Sequence, residues 1–454
     1  MLEAIRGTQQ DFTQGSISRA VLLLATPMVL EMFMESLFAI VDVFWVTRLG
    51  SNAVATVGLT ESMLALFFSV AIGVSMSTTA MVARRTGEKN SRAAATAGAQ
   101  AILLGIVLAL AMGVPASLSA RHLLGWMGAP ADLVASGHRY TSIVFGGGVA
   151  IMLLFLNNAI FRGAGDAAVA MRVLWFANII NLLLDPCLIF GLGPFPALGV
   201  AGAAVSTLIG RSCGVLYQMW ILMRGRDRIA LRWSDFRVAP RVILSLARVS
   251  ATGVMQFAIA HTSWIALVRI ISAFGATAVA GYTIGIRIFI FAVLPSWGLS
   301  GAAATMVGQN LGAGKPERGE RAVWLTALYN AAFLGWVAVV FLTFSRQIVG
   351  FFTTEPAVAA YAEDCLRIIV CGNLVYAFGM VMVQAFNGAA DTITPTCINA
   401  IGFWLCEIPL AWFLAFKAHL EVRGVFSAIP ISELFITLMG VTMFVRGGWK
   451  KRKI

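Results

Sequence analysis

Long apolar stretches recur along the whole chain, each of a length that predicts a helix crossing a membrane. A hydrocarbon core of about 30 Å needs roughly 20 predominantly apolar residues in a helix, which also satisfies its own backbone hydrogen bonds. These stretches predict an all-α integral membrane protein with twelve transmembrane helices. They cover residues 17–46, 53–83, 93–117, 133–161, 168–191, 199–222, 241–272, 277–308, 320–345, 358–386, 393–416 and 424–445.

The composition agrees with this pattern. Hydrophobic residues make up 59% of the 454 residues and charged residues only 12%, against about 25% charged in soluble proteins. The residues before the first apolar stretch are polar, and that stretch is too long for the core of a signal peptide. We therefore expect no cleaved leader.

The sequence repeats at an offset of 225 residues through six predicted helices. Because an even number of helices separates equivalent positions, the two halves have the same orientation, as in parallel-repeat transporters. The repeat predicts two pseudo-symmetric six-helix lobes, residues 1–222 and 241–454, joined by a cytoplasmic linker at 223–240. Matching segments are GSNAVA at Gly50 with GATAVA at Gly275, RGAGD at Arg162 with NGAAD at Asn387, and GVAGA at Gly199 with GVFSA at Gly424.

The net charge of +12 follows the predicted topology. With the N-terminus in the cytoplasm, 23 of the 33 basic residues fall in cytoplasmic segments, among them seven arginines between Arg224 and Arg248. This distribution fits the positive-inside rule and predicts a multi-pass protein of the inner (plasma) membrane with both termini cytoplasmic. It also favours contact with anionic lipid headgroups over binding to nucleic acid.

The two halves differ in their buried acids. At the repeat offset Asp42 corresponds to Leu267 and Asp185 to Leu410, so the N-terminal lobe carries carboxylates where the C-terminal lobe has leucine. Glu31 and Glu61 likewise correspond to Gln256 and Ile286, and Asn181 to Cys406. In the stretch NIINLLLDP, Asn178, Asn181 and Asp185 are spaced to lie on one helical face.

An ionised carboxylate at the centre of a transmembrane helix costs about 2.5 to 3.5 kcal/mol and needs a partner, a proton or a water-filled cavity. We expect Asp42 on helix 1 and Asp185 on helix 5 to approach each other. Burial and mutual repulsion would then leave one carboxyl ready to take up a proton.

Four further polar residues could complete this site. Asn158 lies late in predicted helix 4, Tyr140 lies earlier in the same helix, and Thr207 lies in helix 6, while Glu35 precedes Asp42 by two turns. For any one Asn or Thr, a simple hydrogen bond between helices, worth about 0.6 kcal/mol, is an alternative interpretation.

Pro27 and Arg211 are candidates for bending and charge balance. Pro27 lies inside helix 1, where the missing N–H and the ring clash permit a kink. An ordinary membrane-helix proline is an equal alternative. Arg211 in helix 6 could be a counter-ion for Asp185 or Glu35, or its side chain could extend to the membrane interface.

The sequence shows no pattern of an enzyme or of a metal or cofactor site. The six cysteines form no CxxC pair, and no nucleophile elbow or ATP-binding loop is present. We therefore expect no cofactor, no disulfide framework and energy from an ion gradient.

The segments LLLATPMVLEMFMESLFAIVDVFWVTRLGSNAVATVGL, RGAGD, NIINLLLDP and GVAGAAVST together resemble the multidrug and toxic compound extrusion (MATE) family. The Asp of helix 1 with the Asn-x-x-x-Asp of helix 5 resembles its prokaryotic DinF-like branch. The resemblance implies a V-shaped, two-lobed exporter that exchanges drugs for protons or sodium ions by rocking between inward- and outward-facing states.

The resemblance also implies roles for particular residues. Asp42 matches the ion-coupling Asp of helix 1, Asn181 and Asp185 match the pair of helix 5, and Pro27 matches the bending proline. Tyr140, Asn158 and Thr207 match the supporting polar positions.

Some positions depart from the family pattern. Glu35 stands where an amide is expected, and Arg211 is not part of the pattern. The acidic C-lobe cation site of the NorM-like branch has no clear counterpart, and Glu407 is the only candidate acid in helix 11.

We predict a monomeric, proton-coupled antiporter that exports amphipathic, mostly cationic organic compounds through a cavity between the lobes. Sodium coupling at Asp42, Asn181 and Asp185 is one alternative. A lipid-linked oligosaccharide flippase is another, although it would favour Arg and Lys for a pyrophosphate group.

Overall fold

The computed structural model describes residues 2–7, 10–225 and 228–452, and the regular structure within these ranges is helical. Arg226 and Lys453, counted above among the cytoplasmic basic residues, lie outside the described residues. The helices of the first half are α1 (Leu2–Arg6), α2 (Ile17–Thr47), α3 (Ser51–Gly87), α4 (Ser91–Leu118), α5 (Ala120–Trp126), α6 (Ala131–Gly146), α7 (Gly148–Ala164), α8 (Ala167–Phe190) and α9 (Val200–Arg224).

The helices of the second half follow the same order. They are α10 (Pro240–Ser272), α11 (Ala276–Gly312), α12 (Pro316–Gly350), α13 (Pro356–Val370), α14 (Asn373–Gly388), α15 (Ile393–Asn399), α16 (Ile408–Trp412) and α17 (Glu421–Val445). Two π-helical segments, Ala400–Glu407 and Phe413–Lys417, flank α16, and short 3-10 helices lie at Trp233–Phe236 and Gly448–Lys451.

The prediction of an all-α membrane protein is confirmed. Within the described ranges, ten helical spans are long and apolar enough to cross a membrane, and α13 with α14 would make eleven. The first predicted span coincides with α2, which has 31 residues. The predicted boundaries agree with the observed helices to within a few residues.

Three predicted spans are interrupted in the structure. The span at 133–161 consists of α6 and α7, and the span at 358–386 consists of α13 and α14, which meet at 62°. The span at 393–416 alternates between α-helix and π-helix. Such π-helical turns are uncommon and are often found at functional sites.

The chain forms two compact units. Unit 1 comprises Met1–Gln10 and Thr26–Ala251, and unit 2 comprises Asp11–Ala25 and Thr252–Ile454. Helix α2 therefore contributes its first part to unit 2 and the rest to unit 1. The domain limits given above, with a linker at 223–240, stay a prediction.

The core of unit 1 is apolar and closely packed. Phe67 of α3, Ala109 of α4, and Met152 and Leu156 of α7 are buried in one cluster. A Cβ built on Gly105 of α4 would collide with the Leu156 side chain, so the glycine allows α4 and α7 to approach closely. The packed core holds the polar side chains of the helices in fixed positions.

The core of unit 2 joins five of its helices. Leu267, Tyr282, Cys365, Ala411 and Phe426 belong to one buried cluster and come from α10, α11, α13, α16 and α17, respectively. The rings of Tyr282 and Phe426 are stacked, with centroids 5.9 Å apart and planes at 15°.

Candidate functional site

Helices α8 and α9 pack closely because two glycines of α9 face α8. A Cβ built on Gly210 would lie 2.6 Å from the carbonyl oxygen of Ala177, and one built on Gly202 would collide with the carbonyl of Leu188. No larger residue fits at either position without a shift of the backbone. The hydroxyl residues between the two glycines are thereby held against the polar stripe of α8.

Asp185 is fully buried and receives hydrogen bonds from both helices. Its Oδ1 accepts from the hydroxyl of Ser206. The amide of Asn181 fits its neighbours with the nitrogen toward Asp185, donating to Oδ2 at 3.0 Å. The Asn181 oxygen then accepts from the backbone N–H of Thr207 at 2.9 Å and from its hydroxyl at 3.0 Å. The predicted association of Asn181, Asp185 and Thr207 is thus present in the structure.

Asp42 lies near the end of α2 and shares this site. The charged groups that act on its carboxylate are Asp185, Glu61 and Arg211. Its Oδ1 is buried and has no hydrogen-bond partner among the described residues. Tyr140 of α6 is buried, and Asp42 and the three charged groups that act on it also act on Tyr140.

These side chains form the Asp42–Asp185 cluster, in which each residue is within hydrogen-bonding or electrostatic range of others. Two members were not predicted as site residues. Ser206 carries no sequence signal beyond its place in α9, whereas Glu61 could have been found from its repeat mate Ile286. The cluster consists of Asp42, Glu61, Tyr140, Asn181, Asp185, Ser206, Thr207 and Arg211.

Asn158 does not belong to this cluster, which corrects the sequence-based expectation. Its amide nitrogen donates to Glu31 Oε1 at 3.1 Å, and its oxygen accepts from the Gln218 amide at 2.6 Å. Glu31 precedes Asp42 by 11 residues on α2, which separates them by about 16 Å along the helix axis. Spacing along α7 alone could not show which part of α2 Asn158 faces.

Glu35 lies one turn after Glu31 on α2 and within electrostatic range of it. It acts electrostatically on Glu31, whereas the charges acting on Asp42 do not include it. Glu31 is 1% exposed, and its Oε1 lies 3.7 Å from Nη1 of Arg162. Glu31, Asn158, Arg162 and Gln218 therefore form a second group of polar side chains in unit 1.

Arg211 and Pro27 are the predicted counter-ion and the predicted bending residue, and the structure shows where each lies. Arg211 of α9 acts electrostatically on Asp42 and so lies near the carboxylate pair. Pro27 is buried inside α2, two residues beyond the point where that helix passes from unit 2 to unit 1. A bend at Pro27 stays a prediction.

The Asp42–Asp185 cluster combines three carboxylates and one guanidinium with amide, hydroxyl and phenol groups inside a transmembrane bundle. Oxygen atoms of this kind accept a proton or coordinate a hard cation. Paired acids within a duplicated helical bundle are characteristic of secondary transporters, the class of protein that this fold and cluster define.

Comparison with known proteins identifies the family. The chain belongs to the MatE family, whose model matches residues 27–187 and 254–413, one match in each half of the chain. The predicted resemblance to multidrug and toxic compound extrusion transporters is therefore confirmed. The assignment to the DinF-like branch stays a prediction.

Similar proteins span nearly the whole chain. A probable multidrug resistance protein NorM from Thermotoga maritima is 25% identical over 96% of this chain and 94% of its own. A protein named FAD transporter from Shewanella oneidensis is 26% identical over 94% of each chain. A crystal structure of MATE in complex with MaL6 matches with a TM-score of 0.90 at 22% identity, covering 99% of both chains, and supports the fold.

Proposed function

We propose that this multi-pass membrane transporter is a proton-coupled antiporter that exports amphipathic, mostly cationic organic compounds by alternating access. Asp42 and Asp185 are the coupling carboxylates. Asn181, Ser206 and Thr207 position Asp185, and Tyr140 completes the polar wall around the pair.

The observation that carries this proposal is the burial and the hydrogen bonding of the Asp42 and Asp185 carboxyl groups. Asp185 is fully buried and hydrogen-bonded, whereas the buried Oδ1 of Asp42 has no partner among the described residues. Two negative charges in this environment repel each other and lack bulk water. Binding of one proton neutralises one of these two carboxylates and removes the repulsion between them. A proton and a cationic substrate therefore compete for the pair.

Protonation from the outside would weaken cation binding and release the substrate, and deprotonation toward the cytoplasm would reset the protein. Pro27 offers a place where α2 could bend when Asp42 changes its charge. One net charge moved across about 100 mV supplies roughly 2.3 kcal/mol, enough for about a fortyfold gradient. An electroneutral exchange would draw on the pH gradient alone.

Sodium coupling at the same residues is the nearest alternative, since carboxylate, amide and hydroxyl oxygens also hold sodium. Pyrophosphate substrates are less suited to the cluster. A relative is named FAD transporter, and a lipid-linked oligosaccharide flippase would also handle pyrophosphate. Such a group calls for several Arg or Lys residues, whereas Arg211 is the one base among the eight residues of the Asp42–Asp185 cluster.

Transport into everted membrane vesicles tests the proposal, with pH and sodium gradients imposed separately. We expect accumulation of a cationic dye to follow the pH gradient and to be abolished by Asp42→Asn and by Asp185→Asn. Asp132→Asn is the matched control, because Asp132 is an exposed acid in the same unit. Accumulation that follows only sodium overturns the proton assignment, and accumulation that survives Asp42→Asn overturns the site.

Location and partners complete the proposal. We place the protein in the inner (plasma) membrane with both termini in the cytoplasm, as a monomer in contact with lipid and without nucleic acid. The distribution of arginine and lysine supports this topology. Reporter fusions after Val445, the last residue of α17, should be active only when the reporter works in the cytoplasm.

A further inference from the structure

Unit 2 contains a cavity of about 210 Å³ that combines carboxylates with aromatic rings. An apolar cavity of about 150 Å³ holds a benzene molecule, so this one has room for a small organic compound. Glu407 and Glu433 both line it, and no Lys, Arg or His occurs among the lining residues of the described chain. Its aromatic residues are Trp264, Tyr282, Phe289, Tyr376 and Phe403.

The two carboxylates are held near each other by different helices. Glu407, 4% exposed, ends the π-helix Ala400–Glu407 and accepts a hydrogen bond from the Ser263 hydroxyl at 2.6 Å. Ser432 of α17 lies beside the same carboxylate. Glu433 on α17 lies within electrostatic range of Glu407. Ser263 fixes one carboxylate, and the repulsion between the two carboxylates is relieved when a cation or a proton lies between them.

A third polar group supports a ligand in this cavity. Asn373 lines it and is 1% exposed. Its amide nitrogen donates to the Leu334 carbonyl at 3.3 Å, but its Oδ1 has no partner among the described residues. A buried acceptor without a donor costs free energy unless a ligand or water satisfies it.

The backbone around the cavity is irregular on three sides. The 62° break between α13 and α14 lies beside Asn373, and the π-helix ends at Glu407. Pro430 interrupts the hydrogen bonding of α17 one turn before Glu433. Interrupted transmembrane helices are a recurrent feature of ligand and ion sites in transporters.

The aromatic rings are positioned by packing. Tyr282 is buried and stacks on Phe426, while Phe289 and Tyr376 lie with ring centroids 6.4 Å apart. Aromatic rings next to carboxylates are the usual recognition elements for amines and quaternary ammonium groups, through cation–π attraction and charge. An inorganic ion would not need the rings.

The repeat shows that this cavity does not duplicate the cluster of unit 1. Glu407 and Glu433 correspond at offset 225 to Leu182 and Leu208. Leu267, the equivalent of Asp42, itself lines the cavity. Each unit therefore carries its own carboxylates at positions where the other has leucine.

We propose that this cavity of unit 2 binds a compact organic monocation, an amine or a quaternary ammonium, between Glu407, Glu433 and the surrounding rings. The class of ligand rests on the proposed function, export of organic cations. The site itself rests on the lining residues.

Binding of choline to the purified full-length protein, measured by calorimetry, tests the inference. The comparison ligand is 3,3-dimethyl-1-butanol, which has the same shape without the charge. We expect choline to bind and the neutral compound to bind at least about tenfold more weakly. Glu407→Gln should weaken choline binding by about thirtyfold, and Trp264→Leu by about tenfold.

Two control variants separate this result from the proposed function. Glu355→Gln changes an exposed acid of unit 2 and should leave choline binding unchanged. Asp185→Asn should abolish pH-driven transport yet leave choline binding intact. Equal binding of choline and its neutral isostere overturns the inference, as does equal affinity in wild type and Glu407→Gln. A calorimetric signal with sodium but none with choline overturns it as well. The wild-type comparison does not depend on the folding of any variant.

Discussion

The Glu31 carboxylate on α2 lies 3.7 Å from the guanidinium of Arg162 at the end of α7. At the equivalent positions of the repeat, Gln256 and Asn387 are both buried and uncharged. One unit therefore carries an ion pair where the other carries two amides, so the fold accommodates either combination at these positions.

This relationship predicts that removing one charge is worse than removing both. Arg162→Asn should destabilise the protein by about 1 to 3 kcal/mol, because the buried Glu31 would lose its counter-ion. The figure is reduced from that of a fully buried pair because the Arg162 side chain is 24% exposed. The double variant Glu31→Gln/Arg162→Asn should recover most of the loss. Thermal unfolding in detergent measures both, and additive losses would contradict the prediction.

Gly210→Ala should separate α9 from α8 and disturb the Asp42–Asp185 cluster. The added Cβ would lie 2.6 Å from the Ala177 carbonyl oxygen, so the helices must move apart. We expect lower thermal stability and loss of pH-driven dye transport. Gly58→Ala is the matched control, because a Cβ there meets nothing within 4 Å. It should be neutral or stabilise by up to about 1 kcal/mol. Equal behaviour of the two variants would show that close packing at Gly210 is unimportant.

Asn158→Ala should affect stability and not ion coupling. It leaves Glu31 Oε1 without the Asn158 donor, a loss of about 1 to 3 kcal/mol for a buried group. Dye transport driven by the pH gradient, per amount of folded protein, should stay that of the wild type. Asn181→Ala, in contrast, removes a donor to Asp185 and should reduce pH-driven transport. Reduced pH-driven transport per amount of folded protein in Asn158→Ala would assign Asn158 to the coupling site after all.

Arg318→Gln should loosen the segment that precedes α2. The guanidinium donates to the carbonyls of Gln14 at 2.7 Å and Gly15 at 2.8 Å, and Lys315 donates to Thr13 at 3.0 Å. We expect faster amide hydrogen exchange across residues 12–20 in the variant. Arg321→Gln, an exposed arginine one turn further along α12, should leave exchange unchanged. Unaltered exchange in Arg318→Gln would show that the other contacts hold the segment.

Most of the fold could be predicted from the sequence. Apolar stretches long enough to span a membrane predict the helices, and the repeat predicts two related halves, because both depend on local composition and periodicity. The π-helical turns before and after α16 were not predicted, because an apolar stretch of this length does not distinguish an α-helix from a π-helix.

The sequence by itself determined which helices carry buried acids and which face of α8 holds Asn178, Asn181 and Asp185. Only the tertiary structure decided which of those polar groups meet. It placed Asn158 and Glu35 with Glu31, added Glu61 and Ser206 to the Asp42–Asp185 cluster, and brought Glu407 and Glu433 to one cavity. Helical periodicity fixes the direction of a side chain around its own axis. The partner it meets depends on how neighbouring helices cross and at what depth, which glycines such as Gly202 and Gly210 control through close approach.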